Sequence, residues 1–333
     1  MDKHAGLPSA DFALPGSTWT DLLGPRRRRE ATERMARRCW LGEEDDKPWV
    51  SRRVDRDALE MAYTLLALIS PTGPPDRDRD AIIVFGAMSA VLDSAGTKMS
   101  GFTHGDLLER NFRGSPVKEW ARRAARGVDQ WTADLMVAGL YQQIRQLSEN
   151  RVERTLEESA ERHRINRDNY REYLRWRDHE GWYFGGLLCC AIAAGIDVRN
   201  IPTHWIDETL EASILAFDIH GSLRHACEDE LGHSLNYLHG NQHQQVTTAL
   251  GAYTEILLRI QDTDELQARE KEYLIRFVTG IITAAYGTSR YNRTTAVHVA
   301  RPEDVTVLWS QIDDDPLYRY TYTEATSAAA SKD

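Results

Sequence analysis

The chain has 333 residues, 41% of them hydrophobic and 28% charged, with a formal net charge of −10. That length supports one large core or two modest ones, and the acidic balance argues against bulk nucleic-acid binding. No apolar run reaches the ~18–20 residues of a membrane span, and the N-terminus has no charged-then-apolar leader, so the expected location is the cytoplasm.

Residues 1–50 are rich in Pro, Gly and charge and read as an irregular arm, with one helix expected from Arg28 to Cys39. Arg26 to Arg29 form a basic run, but acidic residues follow at once, which fits a solvated, charge-mixed leader. Pro71 to Pro75 is a loop signal. From there the chain reads as helices within one domain spanning 51–322. Leu140, Ile144 and Leu147 recur at helical spacing in 131–165, as do Leu210, Ile214 and Phe217 in 206–238. Leu274, Phe277, Ile281 and Ala284 repeat the pattern in 271–286. The longest apolar run, Gly181 to Ile196, is too short to cross a bilayer. Strand character is weak except near Thr295 to Leu308, and 323–333 read as a flexible tail. The fold class is therefore all-α, a single helical domain.

Cysteines 39, 189, 190 and 227 form no C-x-x-C pair, so they read as small buried hydrophobes, not as a disulfide framework or zinc site. His225, Asp229 and His233 share an i, i+4, i+8 face that would suit zinc, but that face points away from Asp218 and reads better as surface.

Three stretches, taken in order, resemble bacterial class I terpene synthases. The first is REYLRWRDHEGWYFGG, Arg171 to Gly186. Family members have an arginine that senses a substrate diphosphate, a short link, then a glycine at a helix break. The resemblance puts these roles on Arg177, Glu180 and Gly181. A guanidinium suits phosphate oxygens because its fork is bidentate. The second stretch is AFDIHGSLRHACEDELGHSLNYL, Ala216 to Leu238. Family members carry an Asn, Ser and Glu at i, i+4, i+8 that hold magnesium. Here the positions are Asp218, Ser222 and Ala226, and Arg224 stands where the family often has a basic residue. The third stretch ends in Ser-Arg-Tyr, placing Arg290 and Tyr291 where the family closes on the diphosphate.

The departures carry equal weight. The family's aspartate-rich motif falls on VLDSAGT, where only Asp93 is acidic and Ser94 and Thr97 replace further carboxylates. Magnesium is implied by the resemblance, held by Asp93, Asp218 and Ser222, but a three-ion cluster lacks most of its ligands. The implied fold is the class I terpenoid synthase bundle around an apolar pocket. Trp182, Tyr183, Phe184, Phe217 and Tyr286 would line it and meet a carbocation through cation–π attraction, or simply pack. Asp218 reads as a metal ligand, an acid/base group or a capped structural carboxylate.

The resemblance implies an isoprenoid substrate. In one reading an allylic prenyl diphosphate ionises and its cation cyclises. Arg177, Arg224, Arg290 and Tyr291 then hold the diphosphate, and Asp93, Asp218, Arg177 and Gly181 serve the reaction. In a second, a polyene is cyclised or isomerised without diphosphate, with Asp93 or Asp218 moving the proton. In a third, the protein binds a terpenoid without turnover. A homodimer stays open.

Overall fold

A computed structural model describes residues 52–70, 73–95, 104–150, 170–227 and 234–287. The N-terminal arm, the helix expected from Arg28 to Cys39, the 295–308 segment and the C-terminal tail lie outside these residues. So do the side chains of Ser222 and Arg224, the whole of Arg290 and Tyr291, and the histidine cluster around His225.

The described residues are almost all α-helical. In chain order the helices are α1 (Arg52–Ile69), α2 (Arg79–Ala95), α3 (His104–Glu109), α4 (Val117–Ala124), α5 (Gln130–Asn150), α6 (Tyr170–Gly181), α7 (Tyr183–Ala194), α8 (Thr203–Cys227), α9 (Gln242–Asp262) and α10 (Ala268–Gly287). A two-residue antiparallel pairing, β1 (Asn111–Phe112) with β2 (Ser115–Pro116), joins α3 to α4. Arg113 and Gly114 both take positive φ at its turn, the geometry that matches strand twist in a tight hairpin. No helix of the described residues is long and apolar enough to cross a membrane.

The apolar run singled out in the sequence becomes α7. It touches α1, α2, α5, α6, α8 and α10, and most of its side chains are buried. A helix apolar on every side has no solvent face to offer, so it belongs in the middle of a bundle. Gly195 ends it in the left-handed region, at φ 68°. The Ile196 N–H then reaches back to the Ala191 carbonyl at 2.9 Å. Glycine is favoured here because a side chain at positive φ is strained. Cys189 and Cys190 are free and buried. Burial pushes both thiols up, Cys190 to about 12 against a smaller opposing pull from Arg79, so they stay neutral and pack as small hydrophobes.

Around α7 the neighbours close a ring. α1 packs on α2 and α10, α10 on α8, α8 on α6 and α9, α6 on α5, and α2 on α4 and α5. At the closed end, Arg79 at the start of α2 donates to the Ser70 carbonyl, and Ser70 Oγ donates to the Cys190 carbonyl at 2.6 Å. These bonds pin the end of α1, the start of α2 and the lower part of α7 together. The start of α9 is fixed locally by a reciprocal Asn241–Gln244 capping box.

Candidate functional site

The ring encloses a cavity of about 380 Å³, walled by α1, α2, α5, α6, α7, α8 and α10. Leu65, Leu66, Ile82, Ile83, Phe277 and Ile281 make much of its wall, with Tyr183 and Phe217 edge to face at 6.0 Å. Along α2 the lining runs from Ile82 to Asp93, eleven residue steps and so about 16 Å of helix. The cavity is therefore long. One end lies at Leu66, Ile82 and Cys190, and the other, polar end gathers Asp93, Arg177 and Glu180.

The polar end is built on a helix break. α6 stops at Gly181 and α7 starts at Tyr183, with Trp182 between them at φ 54°, ψ 38°. The break expected near the glycine thus exists, but Trp182, not Gly181, takes the left-handed conformation. A bulky residue there stores about 1–3 kcal/mol of strain, offset by the place its indole finds. A Cβ on Gly185 would lie 1.9 Å from the Trp182 ring, and one on Gly139 would lie 3.1 Å from Nε1. Phe85 meets the other side, with ring centres 5.7 Å apart. The two glycines make room for one tryptophan. Gly181 has a similar role for Tyr183, whose ring sits 2.3 Å from where a Cβ would be.

Arg177 is 5% exposed and lines the cavity. Its Nη1 donates to Glu180, three residues on along α6, and its Nη2 to Asp218 Oδ1 at 3.1 Å. Asp218, on α8, has no exposed surface, and its second oxygen accepts from the Ser234 N–H at 2.9 Å. Of the sequence candidates, Asp93, Arg177 and Gly181 border the cavity. Asp218 is not on that lining and contacts it through Arg177. Trp182, Tyr183 and Phe217 line the wall, Phe184 does not, and the Tyr286 side chain lies outside the described residues. Gln143 and Phe277 are wall residues that motif reasoning passed over. Phe277 was legible only as part of an apolar stripe, and Gln143 carried no signal because its role depends on contacts with α2 and α6.

These positions bear on magnesium. The ion requires several hard oxygens in near-octahedral array at about 2.0–2.1 Å. Asp218 has one oxygen on a guanidinium and the other on a backbone N–H, so as arranged it does not offer a ligand to the cavity. The described residues hold no group of three or more His, Cys, Asp or Glu placed to bind a metal. Among the described residues, then, Asp93 and Asp218 do not make up such a set, and the Ser222 side chain lies outside them, so no step is derived through the ion. Calorimetry with an inert prenyl diphosphate analogue is expected to show little difference with and without magnesium. Tight binding that requires stoichiometric magnesium would mean the ligands lie elsewhere.

Asp178 is a further residue that the motifs did not point to. It accepts from the Phe184 N–H at 2.8 Å, capping the first turn of α7 across the break. Burial pushes its carboxyl up to about 7, Asp207 of α8 adds to the rise, and the Phe184 N–H opposes it. The folded value stands above the ~3.9 of an unfolded aspartate. The folded state therefore holds this proton more tightly, and stability falls as pH rises from about 4 to about 7. Asp178→Asn keeps an acceptor for Phe184 and removes the titration. The variant is expected to be more stable than the wild type at pH 8, by on the order of 2 kcal/mol, and to lose that advantage toward pH 4. Denaturant melts at the two pH values check this, and an unchanged difference between them contradicts it.

No family model matches the chain, and no curated protein matches it. The functional reading therefore rests on the residues and their geometry.

Proposed function

We propose that the protein is a terpenoid cyclase or lyase that encloses an isoprenoid chain in this cavity. The observation that carries the reading is the long apolar and aromatic cavity with its charged groups gathered at one end, beside a break between two helices. A hydrocarbon chain gains about 25 cal/mol for each Å² of apolar surface it takes out of water, so it lies along the wall. Its reactive end is then left beside Asp93, Arg177 and Glu180.

In the leading form the substrate is an allylic prenyl diphosphate. The allylic C–O bond breaks, the diphosphate leaves with the electron pair, and the cation folds against Trp182, Tyr183, Phe217 and Phe277. Loss of a proton to a carboxylate at the polar end, or to the departing diphosphate, completes the reaction. Arg177 is the described cation at that end. To meet the phosphate oxygens it exchanges Glu180 or Asp218 for them, one charge-assisted pairing for another. Arg224, Arg290 and Tyr291 are the further anion contacts that the resemblance supplies.

A second form is favoured by the charge balance. Three carboxylates, Asp93, Glu180 and Asp218, stand against one guanidinium among the described residues of that end. Carboxylates beside an apolar wall suit proton-initiated cyclisation or isomerisation of a polyene, with Asp93, which borders the cavity, as the proton carrier. The test is incubation with C10, C15 and C20 prenyl diphosphates and with the matching hydrocarbons, with and without magnesium, read by mass spectrometry. A cyclised or rearranged product is expected. Binding without any product would instead make the protein a terpenoid carrier, and neither binding nor product would refute the reading.

A further inference from the structure

Among the polar atoms of cavity-wall side chains that have no hydrogen-bond partner among the described residues are Gln143 Oε1 and Trp182 Nε1. Both side chains line the cavity, and they are 1% and 5% exposed. One atom is an acceptor and the other a donor. The orientation of the amide follows from its neighbours. Gln143 Nε2 donates to the Glu180 carbonyl at 3.0 Å and lies 3.4 Å from the Ser89 carbonyl. Two carbonyl partners call for the NH₂ end, which leaves the oxygen as the unpaired end.

The indole N–H is held as firmly, by the backbone of the break and the space at Gly139 and Gly185. A Cβ at Gly139 would be 3.1 Å from Nε1. Gly139 and Gln143 are four residues apart on α5, so they are neighbours on one helix face, about 5–6 Å apart at Cβ. The shared face of α5 allows the unpaired N–H and the unpaired C=O to meet one oxygen lodged between them, near the polar end. A buried group left without a partner costs about 1–3 kcal/mol, and a complementary pair in a ligand cavity calls for an explanation.

The chemistry of the pair selects its ligand. A hydroxyl oxygen accepts from an N–H and donates to a C=O at the same time. A carbonyl or ether satisfies only the indole, an ammonium only the amide oxygen, and a hydrocarbon neither. We infer that Gln143 and Trp182 form a binding site for a hydroxyl oxygen, carried either by the isoprenoid or by a water lodged beside it. This rests on the proposed function for the identity of the chain, though not for the site itself.

The test uses calorimetry and crystals of the full chain. Farnesol and the matching C15 hydrocarbon without the hydroxyl are titrated into the wild type, Gln143→Leu and Trp182→Phe. If the ligand carries the oxygen, the wild type binds the alcohol about 5- to 30-fold more tightly, and each variant erases that preference while still binding the hydrocarbon. If water carries it, the two compounds bind alike, and unliganded wild-type crystals show an ordered oxygen within about 3 Å of both atoms that is missing from Trp182→Phe. Trp182→Phe breaks no hydrogen bond of the described residues, so it keeps the test valid where Gln143→Leu fails to fold. Equal binding together with no ordered oxygen between the two atoms overturns the inference. If neither compound binds the wild type, the isoprenoid reading fails, and the ordered oxygen alone then decides the hydroxyl site.

Discussion

Arg177→Ala is expected to lower stability by about 3–5 kcal/mol, because it removes the guanidinium that pairs with the fully buried carboxylate of Asp218. In the wild type the guanidinium answers Glu180 from its own helix and Asp218 from α8, so it ties the helix break to the far wall. Part of the loss is recoverable. Protonating the stranded carboxyls removes the uncompensated charge, so the deficit narrows as pH falls toward the carboxylate range. Thermal melts should show a drop of about 5 °C at neutral pH for a chain of this size, and a smaller one in mild acid. A variant as stable as the wild type at neutral pH would mean that the ion pairs contribute nothing net.

The second large effect concerns turnover, and it separates the two chemical forms. Arg177→Lys keeps the charge but loses the bidentate fork. If diphosphate departure drives the reaction, that loss should cost about 2–4 kcal/mol in the barrier, roughly 30- to 1000-fold in kcat. Asp93→Asn then has the smaller effect. If instead a polyene is protonated, Asp93→Asn removes the carrier and should cost about 100-fold or more, while Arg177→Lys changes little. Asp93 is the carboxylate to substitute because it borders the cavity, whereas Asp218 is committed to Arg177 and Ser234. The folded fraction is followed by circular dichroism, so that a collapse of the Arg177–Asp218 pair is not mistaken for a catalytic effect.

The helices were legible because their apolar positions recur at helical spacing, as with Leu274, Phe277 and Ile281 on α10. The apolar run that becomes α7 stood out in the sequence, but its central place emerges only from the packing of the other helices around it. The polar end was only half readable. Motif order pointed to Arg177 and Asp93, and both reach the cavity. That Asp218 sits behind Arg177 depends on how α8 packs on α6, a long-range matter that residue spacing cannot supply. Trp182 as the break residue was hidden for a similar reason. A glycine is the usual mark of a left-handed residue, and only the open space at Gly139 and Gly185 lets a tryptophan take that place. Asp178 and Gln143 act through backbone groups, and a backbone partner leaves no trace in the identity of its residue.

The most direct measurement is a crystal structure of the protein with a non-hydrolysable C15 prenyl diphosphate analogue. The account predicts the chain lying along α2 and α7, its tail toward Leu66, Ile82 and Cys190 and its diphosphate beside Asp93 and Arg177. Arg177 should have left Glu180 or Asp218 to meet it. An analogue bound outside the cavity, or lying inside it with the charged end buried at Cys190, would contradict the account.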